Sequence, residues 1–414
     1  MLTRLNKNGI CIYNLTMEKL IETFRKKINS TDMTFIRSLE SKINWNAHLI
    51  CIRGSRGTGK TTLLLQHIKK TFVENLDKVI YVSLDNLYFS DNSLIDFVDT
   101  FVKHGGTHIF FDEVHKYPDW SRVIKNIYDD YPELHVVFTG SSLLEILNAR
   151  SDLSRRALVY NLQGLSFREY LNLCAKTNFP ILTLEEIIAE NEKLSSDIAK
   201  KIKPFEYFDD YLKFGYYPYF LEGIDDYYTR LNETVNLILE IELPLLRKID
   251  VSYITKIKKL LAVIGKSAPF IPNTTELAST IQIARQTLLQ YFQYLEESKL
   301  IYQVFKQSRG LGALEKPDKI FLENTNLMFM LGNTETNVGN IRETFAFNQL
   351  SHSHEVLFSE QSDFFVDKKY TFEIGGKNKK RKQISNIPDS YILADNIEFG
   401  TERRIPIWLL GFLY

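Results

Sequence analysis

Residues 48–72 read HLICIRGSRGTGKTTLLLQHIKKTF. A short apolar run, His48 to Ile52, leads into a glycine-rich turn, and the turn leads into an amphipathic helical pattern. Gly54 to Thr61 is a full G-x-x-x-x-G-K-[ST] match. The chemistry needs these residue types. Glycines let backbone N–H groups converge on phosphate oxygens without Cβ clashes, and the following helix offers its positive N-terminus. The cradle reads as Gly54, Ser55, Arg56, Gly57, Thr58, Gly59, Lys60, Thr61 and Thr62. Lys60 would reach the β- and γ-phosphates and the Thr61 hydroxyl would ligate Mg²⁺.

Working outward, VIYVSL (79–84), HIFFDE (108–113) and HVVFTGSS (135–142) are further apolar runs, separated by helical patterns that include one over 120–129. Short strands alternating with helices predict a parallel sheet buried on both faces. Residues 16–40 predict a helix, with Leu20, Ile21, Phe24, Ile28, Phe35, Ile36 and Leu39 near helical spacing. The strand at 108–113 ends in Asp112 and Glu113. Asp112 would hold the Mg²⁺ shell and Glu113 would polarise an attacking water, which favours hydrolysis. On the next strand Ser141 is the expected γ-phosphate sensor, or a helix N-cap. A guanine reader is lacking, since Arg247-Lys-Ile-Asp250 is the nearest match and lies in a helical region. ATP is therefore the expected nucleotide.

Composition bounds the rest. The 414 residues predict several domains, and 51 basic against 51 acidic side chains argue against a wholly nucleic-acid-binding surface. Three cysteines, Cys11, Cys51 and Cys174, form no CxxC pair, and the N-terminus lacks an apolar signal region. No apolar run reaches the roughly 20 residues that span a bilayer. A cytoplasmic location without membrane contact is expected.

The succession of P-loop, FFDEVHKYPDW (110–120), FTGSSLLEI (138–146) and LSRRALVYNLQGLSFREYL (153–171) resembles the bacterial and archaeal AAA-superfamily ATPases. These carry a C-terminal domain of unknown function with a winged helix and a nuclease-like fold. The resemblance covers nearly the whole chain. It implies an α/β fold, a P-loop NTPase parallel sheet followed by a helical segment, a winged helix and a small α/β tail. The expected divisions are 1–165, 166–265, 266–335 and 336–414. It also implies a role for Arg156 as γ-phosphate sensor or arginine finger, with Arg155 replacing the family glycine. A surface salt bridge is the alternative for either arginine, and an oligomer is compatible with the class.

Residues 274–302 read as a helix-turn-helix. Leu277, Ala278 and Ile281 line one helix and Leu288, Tyr291, Phe292 and Leu295 the next, with Arg285, Gln286, Gln290 and Gln293 on the exposed edge. Residues 303–322 supply the wing hairpin. Residues 270–310 carry only four basic against three acidic side chains, so packing on the ATPase or a partner protein stands beside DNA contact. The basic run 377–382, KNKKRK, is a solvated loop or a second phosphate-contacting element. In the nuclease-like relatives an Asp and the Glu of a Glu-x-Lys hold Mg²⁺, and the Lys steadies the nucleophile or the developing charge. Here the matching positions are Asp363, Glu373 and Gly375, with Glu343 in a preceding helix. The lysine is displaced, Lys377 being nearest, and an inactive tail is expected. His352 and His354 lack a third metal ligand. The leading expectation is Mg²⁺-dependent ATP hydrolysis coupled to domain movement, with an unidentified protein or DNA partner. A nucleotide-gated switch and a DNA-processing protein with a live tail are the alternatives.

Overall fold

The computed structural model describes residues 12–141, 153, 155–306, 315–332 and 337–414. Cys11, Ser142 and the rest of 142–152, Ser154 and the wing residues 307–314 lie outside them. The chain divides into two compact units, Met1–Gln163 and Gly164–Tyr414.

The first unit is built on five parallel strands: β1 (Leu49–Arg53), β2 (Val79–Ser83), β3 (His108–Asp112), β4 (His135–Gly140) and β5 (Leu158–Asn161). Their order is β2-β3-β4-β1-β5, which sets β1 between β4 and β5 and β3 between β2 and β4. Continuous apolar sequence fits this position. Ile50, Ile52, Ile109, Phe111 and Val136 are fully buried, as strands covered on both faces require. Helix Leu94–Lys103 is capped by Ser93, whose side chain accepts the Asp96 N–H. Among the described residues no helix is long and apolar enough to cross a membrane.

The helix expected over 16–40 is shorter and earlier. It spans Ile12–Ser30, and Leu20, Phe24 and Ile28 are its buried face. It stops because Asp32 turns back on the chain: its carboxylate accepts both the N–H and the hydroxyl of Thr34, each at 2.8 Å. Gln66 then donates its side-chain amide to the carbonyls of Asp32 and Phe35, at 2.8 Å each. These contacts hold the chain in an extended path between Asp32 and Phe35 in place of a further helical turn. The chain resumes only as a 3₁₀ turn, Ser38–Lys42.

The second unit begins with helices Phe167–Cys174 and Leu184–Ala199, each opened by a capping box, Ser166 with Glu169 and Thr183 with Glu186. Helices Thr274–Ile281 and Arg285–Glu297 meet at Gln282, which adopts φ 59°. Leu277, Ala278, Ile281, Leu288, Tyr291, Phe292 and Leu295 are buried. Strands β6 (Ile301–Val304) and β7 (Lys319–Leu322) pair antiparallel after them. On the outer edge Arg285 donates to Thr274 Oγ1, Gln290 to the Tyr294 hydroxyl and Gln293 to Glu297.

The tail adds helix Val338–Ser351 and a mixed sheet of β8 (Val356–Phe358), β9 (Phe364–Val366), β10 (Tyr370–Gly375), β11 (Ser390–Ala394) and β12 (Arg404–Pro406). β8, β9 and β10 are antiparallel, whereas β10, β11 and β12 are parallel. One hydrophobic cluster joins Phe167, Tyr211, Val304, Phe321, Phe345, Phe372 and Trp408. The segments expected as separate helical, winged-helix and tail parts thus share a core.

Candidate functional site

β1 delivers the chain to Gly54, and the helix Lys60–Thr71 carries it away. A side chain at 54 would bring its Cβ within 2.2 Å of the Leu162 carbonyl oxygen, so only glycine lets the loop leave beside β5. Gly57 and Gly59 take φ 83° and 93°, the left-handed region that glycine enters freely. Thr58 is fully buried, and its hydroxyl donates to the Ser55 carbonyl at 2.9 Å. Lys60 folds its amine onto the carbonyls of Gly54 and Ser55, at 2.9 and 3.0 Å. Thr62, also expected in the cradle, is exposed on the helix surface.

The register of the parallel sheet brings the carboxylates to this loop. Asp112 ends β3 and is 2% exposed. Its Oδ2 accepts from the Thr61 hydroxyl at 2.6 Å and from the Tyr81 hydroxyl at 2.7 Å, and its Oδ1 from the Thr139 hydroxyl. Burial and the Asp112 charge hold the Tyr81 phenol far above its ordinary pKa. Glu113 adopts φ 54°, unusual for a residue with a side chain, and its N–H donates to Thr139 Oγ1 at 3.1 Å. Its carboxylate is 3.4 Å from Nε2 of the buried His115. Burial raises the Glu113 pKa, Lys60 lowers it and the Asp112 charge raises it again. Such a carboxylate is a stronger base than a solvated one.

The residues fit a nucleotide phosphate chain with Mg²⁺. The cradle turns through two left-handed glycines, a hydroxyl and a buried carboxylate converge beside Lys60, and the Ser141 Oγ is buried without a hydrogen-bond partner among the described residues.

Sequence reasoning missed four groups. Arg37, 8% exposed, donates to the carbonyls of Thr58 and Gln163, at 2.7 Å each, and so braces the loop from behind. Tyr81, Thr139 and His115 complete the surroundings of the two carboxylates. Thr139 makes the polar contacts to Asp112 and Glu113, two residues before the expected Ser141. Arg156 is paired with Asp129, Nε to Oδ1 at 3.0 Å and Nη2 to Oδ2 at 3.2 Å, and its guanidinium lies over the Tyr128 ring. Arg155 is exposed.

A P-loop between β1 and its helix, a carboxylate pair at the end of β3 and the order β2-β3-β4-β1-β5 fit the α/β fold of P-loop NTPases. In agreement, residues 46–171 match the family model of an AAA domain, and residues 205–337 match that of a domain of unknown function, DUF8612. The uncharacterized protein MJ1637 of Methanocaldococcus jannaschii is 27% identical over 318 residues, covering 73% of this chain and 66% of its own length. Among solved structures, C. elegans PCH-2 matches 42% of this chain and 47% of its own, at 18% identity and a TM-score of 0.24. AMPPCP-bound DnaA from Aquifex aeolicus matches 69% of this chain and 88% of its own, at 15% identity and a TM-score of 0.26. The chain thus spans about two thirds of MJ1637 and about half of the PCH-2 chain.

Proposed function

We propose that the first unit binds Mg-ATP and hydrolyses it. The observation that carries this reading is the contact of the Thr61 hydroxyl with Asp112 Oδ2 at 2.6 Å beside the Lys60 amine. A hydroxyl and a carboxylate so placed are the two protein oxygens that P-loop hydrolases offer to Mg²⁺. When bound, the ion would neutralise charge on the β- and γ-phosphate oxygens.

Every other part of the chemistry belongs to side chains. Lys60 leaves the Gly54 and Ser55 carbonyls and turns its ammonium to the phosphate oxygens. Tyr81 and Thr139 keep the Asp112 carboxylate oriented through their hydroxyls. Glu113, with its raised pKa, takes the proton of the attacking water. The nucleotide cycle would then be passed to the second unit, whose parts share one core.

The test is ATP binding by the wild type and by Lys60→Ala, with and without Mg²⁺. Binding is expected to fall sharply in the variant, and an unchanged affinity would remove the site assignment.

A further inference from the structure

Two residues after Glu373, where the nuclease-like pattern has a lysine, this chain has Gly375. The structure fills that gap from further along. After Gly375 the chain turns, and the Lys379 N–H donates to the Gly376 carbonyl at 3.0 Å. Arg404, the first residue of β12, donates to the carbonyls of Lys377 and Lys379 and fixes the turn. The stem of Lys379 then lies across Gly375. A Cβ added at 375 would come within 2.6 Å of Lys379 Cβ and Cγ and 2.8 Å of its Cδ. The Lys379 ammonium is ion-paired with Glu373 Oε1.

A second lysine enters from β7. Lys319 pairs with Oε2 of Glu343 on the helix Val338–Ser351. Burial, together with the charges of Asp363 and Glu373, raises the Glu343 pKa against the pull of Lys319. The Glu373 carboxyl likewise senses Asp363 and both lysines. Two ion pairs, Lys379–Glu373 and Lys319–Glu343, are thus brought together with Asp363, which takes the N–H of the residue after Glu373. Glu373 is the buried member of this cluster, with a side chain 5% exposed, while those of Lys319, Glu343 and Lys379 are 15%, 22% and 32% exposed.

The resemblance to Mg²⁺-dependent nucleases would put a divalent ion on these carboxylates, and the residues do not fit it. Glu373 and Glu343 each commit an oxygen to an ammonium, and Asp363 Oδ2 accepts the Ile374 N–H at 2.6 Å. Among the described residues no three His, Cys, Asp or Glu side chains are grouped to hold a metal.

We propose that Lys379 and Lys319 are the resident cations of this cluster, neutralising Glu373 and Glu343 where a divalent ion would otherwise sit, and that Gly375 is glycine because Lys379 must lie across it. The charge absent from position 375 is supplied in space by residue 379. The cluster holds together β7, β10 and the helix bearing Glu343, and it acts as a structural tie. Removing one partner would leave a buried carboxylate uncompensated, which folded proteins tolerate poorly.

The test uses the full chain without nucleotide. Melting is followed while Mn²⁺ is titrated into the wild type and Asp363→Asn, with Glu373→Gln as a second comparison should the first not fold. A response arising at Thr61 and Asp112 survives these substitutions, so the difference isolates the tail. The wild type and the variant are expected to respond alike. A Mn²⁺-dependent rise that Asp363→Asn abolishes, or Mg²⁺-dependent cleavage of DNA or RNA that Asp363→Ala abolishes, would overturn the proposal. In parallel, Lys379→Met is expected to lower the melting temperature by several degrees and Lys377→Met, at an exposed neighbour, to leave it unchanged. Equal melting of these two variants would also overturn it.

Discussion

The Thr61 hydroxyl, on the first turn of the P-loop helix, donates to Asp112 Oδ2 across 2.6 Å, joining the start of that helix to the end of β3, 51 residues away in sequence. Tyr81 reaches the same oxygen from β2. The P-loop helix, β2 and the end of β3 are thus joined through one carboxylate. In Thr61→Val, Mg²⁺-dependent nucleotide affinity should fall at least about tenfold while affinity without Mg²⁺ changes little. Nucleotide titrations at fixed Mg²⁺ and in chelator separate the two.

Gly54→Ala should be disruptive although it adds one methyl group. Its Cβ would meet the Leu162 carbonyl at 2.2 Å, and backbone cannot swing away as a side-chain end can. We expect a loss of ~1–3 kcal/mol in urea unfolding together with weakened nucleotide binding. Normal stability and normal binding would show that β1 and β5 separate easily here.

Arg37→Ala should loosen the loop without touching a phosphate. It leaves the carbonyls of Thr58 and Gln163 without the donor they have at 2.7 Å. The buried Thr58 carbonyl, once orphaned, costs about 1–3 kcal/mol, and the part-buried Gln163 carbonyl costs less. Arg37→Lys should recover only part of this, because one ammonium does not reproduce a fork that serves two acceptors. Chemical denaturation of the three proteins measures it.

A pH dependence should come from Glu323 in the second unit. This carboxyl is fully buried, and burial raises its pKa to about 7, opposed by hydrogen bonds from Tyr216 and Asn324. The folded state therefore holds the proton more tightly than the unfolded chain, whose Glu titrates near 4.5. Its stabilising contribution is complete below that value, declines as pH rises towards 7, and is lost above it. Urea midpoints measured across this window should fall with pH, by roughly 3 kcal/mol at most from this group. The component should vanish in Glu323→Gln.

Much of the first unit was legible because its signals are local. Leu49–Arg53, Val79–Ser83 and His108–Asp112 are uninterrupted apolar runs, and the P-loop pattern fixes its own turn and helix. What escaped depends on distant partners. Arg37 is an unremarkable basic residue until the fold brings it to Thr58 and Gln163, 21 and 126 residues away. Tyr81 reads as one more strand aromatic, and only the pairing of β2 with β3 turns its hydroxyl to Asp112. The helix expected through Leu39 fails because Gln66 captures the carbonyls of Asp32 and Phe35, which periodicity does not register. In the tail, fixed spacing points to Gly375 with Lys377 the nearest lysine, whereas the turn held by Arg404 presents Lys379 to Glu373. A helix-turn-helix was readable from its apolar stripe, but the hydrogen bonds of Gln290 and Gln293 along their own helix were not.

The central claim is tested most directly by ATP turnover with Mg²⁺ in the wild type and in Glu113→Gln, followed across pH. The wild type should hydrolyse ATP with an acid limb above the ordinary glutamate range, since burial raises the Glu113 pKa and only the ionised carboxylate accepts the proton. Glu113→Gln should still bind ATP while turnover falls by about 10²–10⁴-fold. Turnover that persists unchanged in Glu113→Gln, or a wild type that binds Mg-ATP without hydrolysing it, would contradict the account.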